Sequence, residues 1–419
     1  MPKTIRPPYS NAVVPPISVS SAYYFRDTEE FRRYKAGELP GGRYGRYDNP
    51  SWLQTEAELA QLEGTEEALL FPSGMSAVSN TVAALCKQGD RILYTGCAYR
   101  NLRTFFNEQM SQYGVEAHAI CQADIQKFNE EFQNQYDERC RIVFVEMPSN
   151  PHMYLVDLEY IKTVIDPQRT LLIVDSTFAS PINCQPAKFG ANLVIHSCTK
   201  YLGGHGDLLA GCVCGSAELM DQIRNYRNIS GAVVDGFTAF LLSRSIATLN
   251  IRMEQLNKTG LEVARSLESH PVVRHVYYTG LASHPHASLA SKYLSGHGGV
   301  VAFELDCDAE QAVGFVDRLK IPFMGTNFGS HQAMVEQCAE FTYYKLTAQE
   351  RRDLNISNTL IRYTVGLEKT SDIISDIFNS LKLICSQSQE RAPNVKTHSQ
   401  NVTAAARQMA ESRTFGHLS

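Results

Sequence analysis

The alternation of apolar and polar residues divides the chain into segments of different character. The segment "NPSWLQTEAELAQLEG" has a helical period, with Asn49 as the N-cap, Pro50 at the first position and Gly64 as the stop. Apolar and β-branched runs follow, namely "EALLFPSG", "RILYTG", "RIVFVEMP", "TLLIVDST" and "NLVIHSCT", and helix-like stretches separate several of them. Nearly continuous apolar strands that alternate with helices predict a largely parallel sheet covered on both faces.

Changes in composition predict the boundaries of the other segments. Residues 1–50 are rich in Pro, Gly, Tyr and Arg, have no helical or strand period, and cannot hold a core. We therefore predict an N-terminal arm over 1–50, a large domain over 51–245 and a smaller α+β domain over 246–385. The polar sequence after Ser386, "SQSQERAPNVKTHSQN", indicates a flexible tail over 386–419.

Composition excludes several classes of function. The chain has 419 residues, 43% of them apolar and 20% charged, with a formal net charge of -5 and no Lys/Arg-rich block, which argues against binding to nucleic acid. No apolar run is long enough for a signal peptide or a membrane span, so we expect neither. The eleven cysteines have no CxxC pair and no zinc-type spacing, which indicates reduced thiols in a cytoplasmic protein without a metal site.

Polar side chains stand at the ends of several predicted strands. In a parallel sheet such residues collect at one edge, where ligands bind. These residues are Ser73, Tyr99, Asn150, Asp175 and Lys200.

Two of these residues suggest a cofactor. Lys200, in "VIHSCTKYLGGHGD", is held among hydroxyls and glycines, where desolvation favours the neutral amine that Schiff-base chemistry needs. Asp175 ends a buried strand, and a buried carboxylate requires a cation. A Lys at the aldehyde carbon and an Asp at the ring nitrogen are the arrangement that holds pyridoxal phosphate. Taken singly, each residue has a more ordinary interpretation, a surface lysine after a strand and a helix-capping aspartate.

Other residues extend this hypothesis toward a phosphate. Ser197 and Thr199 share one face if the strand continues through them, and they could clamp an anion. In "FPSGMSAV", Gly74 lies where a strand gives way to a helix N-terminus, which also attracts anions. Tyr99 could stack on the cofactor ring or be a partly buried interface tyrosine. The glycines of "YLGGHGD" fit neither a Walker motif nor a dinucleotide-binding motif.

Six motifs in a fixed order connect the chain to a known family. "YGRYDNPS", "FPSGMSAV", "VEMPSNP", "LLIVDSTFASP", "SCTKYLGGHGDLLAG" and "LIRYTVGLE" resemble, from about residue 10 to 385, the Cys/Met-metabolism pyridoxal phosphate enzymes. This group includes cystathionine γ-synthases, γ-lyases and homoserine sulfhydrylases. "AYRNLRTFF", "VRHVYYTGLASHP" and "IPFMGTNFG" are most similar to plant-type cystathionine γ-synthases. The resemblance implies an α/β fold of the aspartate-aminotransferase type (fold type I), with a large, mostly parallel sheet domain and a smaller α+β C-terminal domain.

The resemblance implies a cofactor, pyridoxal 5'-phosphate, and residues that hold it. Lys200 matches the Schiff-base lysine, Asp175 the partner of the pyridinium nitrogen, and Tyr99 the stacking tyrosine that assists proton transfer. The other cofactor-binding residues that it implies are Ser73, Gly74, Met75, Thr177, Ser197 and Thr199. Tyr44 and Arg46 match a pair that reaches the phosphate in the neighbouring subunit of a homotetramer, built as a dimer of dimers.

The resemblance also implies a substrate end and a reaction. Arg362 matches the arginine that binds the substrate α-carboxylate, Asn150 lies near it, and Asn327 stands where a serine is usual. The implied reaction is γ-replacement on an activated homoserine, O-acyl- or O-phosphohomoserine, through a vinylglycine-type intermediate. A γ-lyase that releases a 2-oxo acid and ammonia is the alternative. A β-lyase agrees less well with "IPFMGTNFG", and a catalytically inactive scaffold protein would need a broken Lys/Asp/Tyr/Arg set, which is intact here.

Three departures from the family pattern leave the second substrate open. Arg43 stands where an acidic residue is common, "EQCAEFTYY" (Glu336–Tyr344) replaces a His-Pro-Ala-type segment, and "TNFGS" replaces Ser-Leu-Gly. All three fall where the second substrate is expected, although neutral drift explains them equally well. We hypothesise a nucleophile other than, or besides, cysteine, with Arg43 as a substrate-binding residue.

Overall fold

The computed structural model describes residues 13–39 and 42–391, of which residues 383 and 385–391 are described by their backbone only. The start of the predicted arm and the predicted tail from residue 392 onward lie outside the described residues.

The arm contains a helix that its sequence was not expected to form. Helix α1 (Thr28–Lys35) begins after the N-cap Asp27, whose carboxylate accepts the N–H of Glu30 at 2.8 Å. The prediction that residues 1–50 lack a helical period is therefore wrong for this stretch, because a capping aspartate and charges that match the helix dipole stabilise a short helix. Helix α2 (Pro50–Glu63) follows, with Asn49 as N-cap and Gly64 as a left-handed C-cap, as predicted.

A seven-stranded sheet forms the larger part of the structure. Its spatial order is β1-β7-β6-β5-β4-β2-β3, and only β7 runs antiparallel to its neighbours β1 and β6, which agrees with the predicted largely parallel sheet. The strands are β1 (Glu67–Phe71), β2 (Arg91–Thr95), β3 (Glu116–Ile120), β4 (Cys140–Glu146), β5 (Leu171–Asp175), β6 (Leu193–His196) and β7 (Gly211–Gly215).

Helices cover both faces of this sheet because its central strands are apolar on both faces. In β4, for example, Ile142 and Phe144 enter one buried cluster whereas Val143 and Val145 enter another on the opposite face. The helices that follow α2 in this part of the chain are α3 (Gly74–Leu85), α4 (Arg100–Thr104), α5 (Ile125–Gln135), α6 (Leu158–Val164), α7 (Ser180–Asn183), α8 (Ala217–Ser230) and α9 (Gly236–Ile246), with a π-helix at Phe105–Met110 and a 3₁₀ helix at Pro186–Phe189. The outcome is the predicted α/β architecture.

A second, five-stranded sheet forms the C-terminal part. Its order is β10-β11-β12-β9-β8, antiparallel except for the short β10–β11 pair. Its strands are β8 (Val273–Tyr277), β9 (Val300–Leu305), β10 (Phe323–Met324), β11 (Met334–Gln337) and β12 (Leu360–Thr364). The accompanying helices are α10 (Leu249–Glu268), α11 (Ala287–Tyr293), α12 (Ala309–Arg318), α13 (Ala348–Asp353) and α14 (Thr370–Arg391).

The last helix is longer than predicted. Helix α14 runs to Arg391 and so passes residue 386, where the tail was predicted to begin. Gln, Glu and Arg in this stretch are polar but are also good helix formers, so polarity alone placed the boundary too early. None of the helices among the described residues is both long and apolar enough to cross a membrane.

Candidate active site

Lys200 lies in a turn beyond the end of β6, at the carboxyl edge of the large sheet. Strand β6 ends at His196, so Ser197 and Thr199 are not strand residues, and the prediction that they share a strand face is wrong. Within the turn, Thr199 bonds to Ala210, the residue before β7, which is the neighbour of β6 in the sheet. Its Oγ1 donates to the carbonyl of Ala210 at 3.2 Å and accepts the N–H of Ala210 at 3.1 Å.

The amine of Lys200 is enclosed by aromatic and polar groups. Its Nζ donates to Oδ1 of Asn327 and lies 5.1 Å from the ring centroid of Phe328. The ring of Phe328 stacks on that of Phe178, with 4.0 Å between the ring centroids. Burial, followed by the charge of Arg362, lowers the pKa of Lys200 to about 8. An amine with such a pKa is partly neutral at physiological pH and can act as a base or nucleophile.

Asp175 is the last residue of β5 and is tied to the lysine turn. Its Oδ1 accepts the N–H of Thr177 at 3.0 Å and the hydroxyl of Thr177 at 2.5 Å. The same hydroxyl oxygen accepts the N–H of Ser197 at 2.8 Å. Thr177 thus fixes the carboxylate of Asp175 relative to the turn that carries Lys200, while burial raises the pKa of Asp175.

A second carboxyl group, Glu146, lies beside Asp175 and was missed from the sequence. The two residues are in register on β4 and β5. Glu146 Oε2 accepts the N–H of Tyr99 at 2.8 Å and Oε1 accepts the N–H of Asn150 at 3.2 Å. Burial and the charge of Asp175 raise the pKa of Glu146 to about 8. The signal was present in "RIVFVE", an apolar strand that ends in an acid just as the strand of Asp175 does.

The N-terminus of α3 forms a backbone cradle next to this cluster. Ser73 is the N-cap, and its hydroxyl accepts the N–H of Ser76 at 3.1 Å. A Cβ added to Gly74 would lie 2.8 Å from the Cβ of Ser197, so the helix backbone packs directly against the lysine turn. The N–H groups of Gly74 and Met75 belong to the first turn, which has no intrahelical acceptors and suits an anion.

Together these groups fit pyridoxal phosphate. The first turn of α3 suits its phosphate, the partly neutral amine of Lys200 suits its aldehyde, and the half-buried carboxyl group of Asp175 suits a protonated ring nitrogen. Tyr99 lies at the same edge with its side chain 47% exposed, open enough to cover a bound ring.

Arg362 brings the C-terminal part of the chain to the site. Its Nη1 donates to Oδ1 of Asn150 at 2.9 Å and its Nη2 donates to the carbonyl of Thr326 at 2.6 Å. Nη2 also lies 2.8 Å from Oε1 of Glu336, an ion pair between almost fully buried side chains. Because Thr326 precedes Asn327, the contact of Lys200, Arg362 is close enough for its charge to affect the lysine.

The departure segment Glu336–Tyr344 also lies against this cluster. Besides the ion pair of Glu336, the hydroxyl of Tyr343 donates to the carbonyl of Asn150 at 3.2 Å. Thr342 Oγ1 donates to Oε2 of Glu336 at 2.6 Å. The role of Glu336 escaped sequence analysis because its partner Arg362 belongs to the next strand, β12, and strand register is not evident from the sequence.

The arm residues lie elsewhere in the single chain. Arg46 donates to the carbonyl of Asn228 and its guanidinium carbon lies 5.4 Å from the ring centroid of Tyr44. The guanidinium carbon of Arg43 lies 4.6 Å from the ring centroid of Tyr47. Both residues line a cavity of about 430 Å³. Among the described residues, no hydrogen bond, ion pair or ring contact joins these arm residues to Lys200 or Asp175.

Comparison with known proteins agrees with this geometry. A model of the Cys/Met metabolism PLP-dependent enzyme family matches residues 3–382. The chain belongs to this family. Its cofactor is therefore pyridoxal 5'-phosphate, and the protein is an enzyme of the fold type I class, as its α/β architecture with a second, smaller sheet indicates.

The chain is similar to several enzymes of this family. It is 38% identical over 375 residues to "Cystathionine gamma-synthase 1, chloroplastic" of Arabidopsis thaliana, covering 90% of this chain but only 66% of that protein's length. It is 34% identical to "L-methionine gamma-lyase" of Porphyromonas gingivalis, over 87% of this chain and 92% of that one. It is 33% identical to "O-succinylhomoserine sulfhydrylase" of Pseudomonas aeruginosa, over 86% of this chain and 89% of that protein.

Proposed function

We propose that the enzyme catalyses γ-replacement on an activated homoserine, O-acyl- or O-phosphohomoserine, and adds a thiol or another nucleophile at Cγ. The observation that carries this proposal is the contact chain from the amine of Lys200 through Asn327 and Thr326 to Arg362. These contacts place a base, the amine of Lys200, near a buried cation, the guanidinium of Arg362. A reaction at Cα of an amino acid requires a base to remove the Cα proton and a cation to bind the free carboxylate. Similarity to a cystathionine γ-synthase supports replacement, and similarity to a methionine γ-lyase keeps elimination as the alternative.

We assign cofactor binding to the groups at the carboxyl edge. Lys200 would bond to the aldehyde, Asp175 would face the ring nitrogen, and Tyr99 would stack on the ring. Phosphate and ring contacts are assigned to Ser73, Gly74, Met75, Thr177, Ser197 and Thr199, all of which lie in the first turn of α3, after β5 or in the lysine turn. When bound, pyridoxal phosphate supplies an electron sink for the electrons released at Cα.

The protein groups then bind the substrate and move protons. Arg362 binds the α-carboxylate, and its buried Nε–H, which has no hydrogen-bond partner among the described residues, is an available donor. Asn150 and Asn327 orient Arg362 and Lys200 through the contacts described above. The neutral amine of Lys200 accepts the protons lost from Cα and then Cβ, with Tyr99 as a helper. The paired rings of Phe178 and Phe328 keep water away from that amine.

Product analysis tests the reaction. The purified enzyme, loaded with pyridoxal phosphate, is offered O-acetyl-, O-succinyl- and O-phosphohomoserine, each with cysteine, other thiols, amines and carbon acids, and products are identified by mass spectrometry. We expect a product with a new bond at Cγ, and none with the Lys200→Ala variant. Formation of 2-oxobutyrate and ammonia alone would overturn the proposal in favour of a γ-lyase.

Arg43 and the segment Glu336–Tyr344 support a second substrate other than, or besides, cysteine. Glu336 and Tyr343 contact Arg362 and Asn150, so changes in this segment act on the substrate end of the site. Arg43 replaces an acidic residue and would favour an anionic or extended co-substrate over a cationic amino group. If cysteine is converted to cystathionine as fast as by a dedicated synthase, this part of the proposal is wrong.

We further propose a homotetramer, a dimer of dimers, in which Tyr44 and Arg46 reach the active site of the neighbouring subunit. The support is that the arm is peripheral in the single chain, with Tyr44 46% exposed and Val19 and Tyr24 almost fully exposed. Light scattering measures the mass of the assembly.

Mixing two inactive variants tests the shared site. A Lys200→Ala subunit has an intact arm, and a Tyr44→Phe/Arg46→Ala subunit has an intact lysine. If the arm acts in the partner, random reassociation restores about a quarter of the wild-type sites. If mixing restores no activity while hybrid dimers form, the arm does not act across the interface.

We propose a cytoplasmic location, on the support of ten described cysteines that are all free. Two plant relatives have "chloroplastic" in their names, so an organellar location is the competing outcome when cells expressing the chain are fractionated.

A further inference from the structure

Two cysteines meet at the end of the β2–β3 pair, next to Tyr99. The two strands run parallel with Thr95 opposite Ile120, and beyond them the N–H of Gly96 donates to the carbonyl of Ile120 at 2.7 Å. Cys97 follows Gly96, and Cys121 follows Ile120. Neighbouring strands lie about 4.8 Å apart, which is within the Cα separations of roughly 4.4–6.8 Å that a disulfide spans. The two loops therefore lie side by side.

The two thiols lie in neighbouring loops and differ in exposure. Cys121 is exposed whereas Cys97 is only 7% exposed. The loops are also joined by the N–H of Cys97, which donates to Oε1 of Gln122 at 3.1 Å. An exposed thiol in a loop beside a buried thiol suits an attacking and a resolving cysteine.

The electrostatics of the pair favour reaction at the exposed thiol. The neighbouring thiol of Cys97 lowers the pKa of Cys121 to about 6, and Cys121 in turn raises the pKa of Cys97. By contrast, burial raises the pKa of Cys86 to about 12 and that of Cys307 to about 11. Because the thiolate is the nucleophile, Cys121 differs from both in being ionised near neutral pH.

We propose that Cys97 and Cys121 are a redox-active thiol pair that a peroxide converts to a disulfide. The Cys121 thiolate attacks a peroxide oxygen, the O–O bond breaks, and the departing oxygen takes up a proton to leave as water or an alcohol. The sulfenic acid on Cys121 is then attacked by the sulfur of Cys97. The S–S bond forms, and the hydroxyl group leaves as water with the proton from Cys97. The two thiols lose two electrons, and the peroxide gains them.

The disulfide acts on the active site through the loop that carries Tyr99. Cys97 is two residues before Tyr99, whose N–H is held by Glu146 at 2.8 Å. An S–S bond of about 2.05 Å is shorter than any contact between two separate thiols, so it pulls this loop toward β3. Since displacing a reacting group by about 1 Å can reduce the rate on the order of 100-fold, we expect oxidation to reduce turnover at least about tenfold.

Peptide mapping of the full-length holoenzyme tests the bond itself and does not depend on the substrate. The enzyme is treated with hydrogen peroxide, the remaining thiols are alkylated, and the digest is analysed by mass spectrometry. We expect a linked pair of peptides containing Cys97 and Cys121, which disappears on reduction with dithiothreitol. The Cys97→Ser variant should instead accumulate sulfenic acid on Cys121, trapped by dimedone. Recovery of Cys121 as free thiol or as sulfinic acid in the unmodified sequence would overturn the proposal.

Two variants test the effect on the site. Cys121→Ser should keep basal turnover and the visible cofactor absorbance, and neither should respond to peroxide. Cys307→Ser removes a half-buried thiol far along the chain and should respond as the unmodified sequence does. Peroxide inactivation that persists in Cys121→Ser, or a disulfide that changes neither turnover nor absorbance, would overturn the link to Tyr99.

Discussion

The ion pair between Glu336 and Arg362 offers a sharp test of the site's electrostatics. Substitution of Glu336 by Gln keeps the side-chain volume and an oxygen that can accept the hydroxyl of Thr342, so it creates no cavity. It removes one charge from a pair whose side chains are 1% and 3% exposed and whose atoms are 2.8 Å apart. Arg362 would then be a buried cation without a counter-ion.

The expected loss of stability follows from this burial. Removing one partner of a buried ion pair costs about 3–5 kcal/mol, because the remaining charge stays desolvated. Arg362 keeps its hydrogen bonds to Asn150 and to the carbonyl of Thr326. We therefore expect the lower end of this range, a decrease of about 3 kcal/mol in the free energy of unfolding.

Urea unfolding at pH 7, followed by far-UV circular dichroism, measures this change. Glu340→Gln is the matched control, because it makes the same substitution at an exposed position of the same segment and should change stability by less than about 0.5 kcal/mol. The double variant with Arg362→Gln removes both charges and should be more stable than the sum of the single effects predicts, by about 1 kcal/mol or more. If Glu336→Gln is as stable as Glu340→Gln, our account of this buried pair is refuted.

Three further predictions concern the lysine, the cradle and a buried histidine. In the apoprotein, the rate of acylation of Lys200 should increase as pH rises through about 8, and site-resolved mass spectrometry measures this rate. A rate profile with its midpoint near the ordinary lysine pKa of 10.5 would contradict the prediction. Gly74→Ala puts a Cβ 2.8 Å from that of Ser197 and should weaken pyridoxal phosphate binding about tenfold or more in equilibrium dialysis. Burial alone lowers the pKa of His196, but its hydrogen bond to Glu63 raises it to about 9. The stabilisation of the folded state by protonated His196 is complete below about pH 6.5 and is lost as pH rises through about 9. The melting temperature of the unmodified protein should therefore fall over this range, and that of His196→Asn should not show this fall.

Local chemical signals made much of the fold predictable. Asn49, Pro50 and Gly64 fix the ends of α2 through the conformations that these residues prefer, and the structure confirms all three. The buried strands were predictable because their apolar runs cannot face water on either side. The edge strand β3 (EAHAI) was missed because most of its residues stay partly or fully exposed, so its sequence has no apolar run.

The site was only half predictable, because its residues come from distant parts of the chain. Strand ends identified Asp175, Lys200 and Tyr99 as neighbours at one edge. The sequence contains no signal for the pairing of Arg362 with Glu336, which follows from the register of β11 and β12, or for its bond to Asn150 across 212 positions. Such contacts depend on the packing of the second sheet against the first.

The charges at the carboxyl edge are arranged so that each group is held near the point where it can change its protonation state. Glu146 is buried and lies beside the half-buried Asp175, so the two carboxyl groups do not ionise freely together. Burial raises the pKa of both carboxyl groups, that of Glu146 to about 8, and each group accepts two hydrogen bonds, so the pair retains a proton near neutral pH. On the other side, the charge of Arg362 acts with burial to release the proton of Lys200. A carboxyl pair that shares a proton and an amine that loses its proton near pH 8 suit an aldehyde cofactor with a protonated ring. The shared edge of the sheet provides both, because β4, β5 and β6 end there side by side.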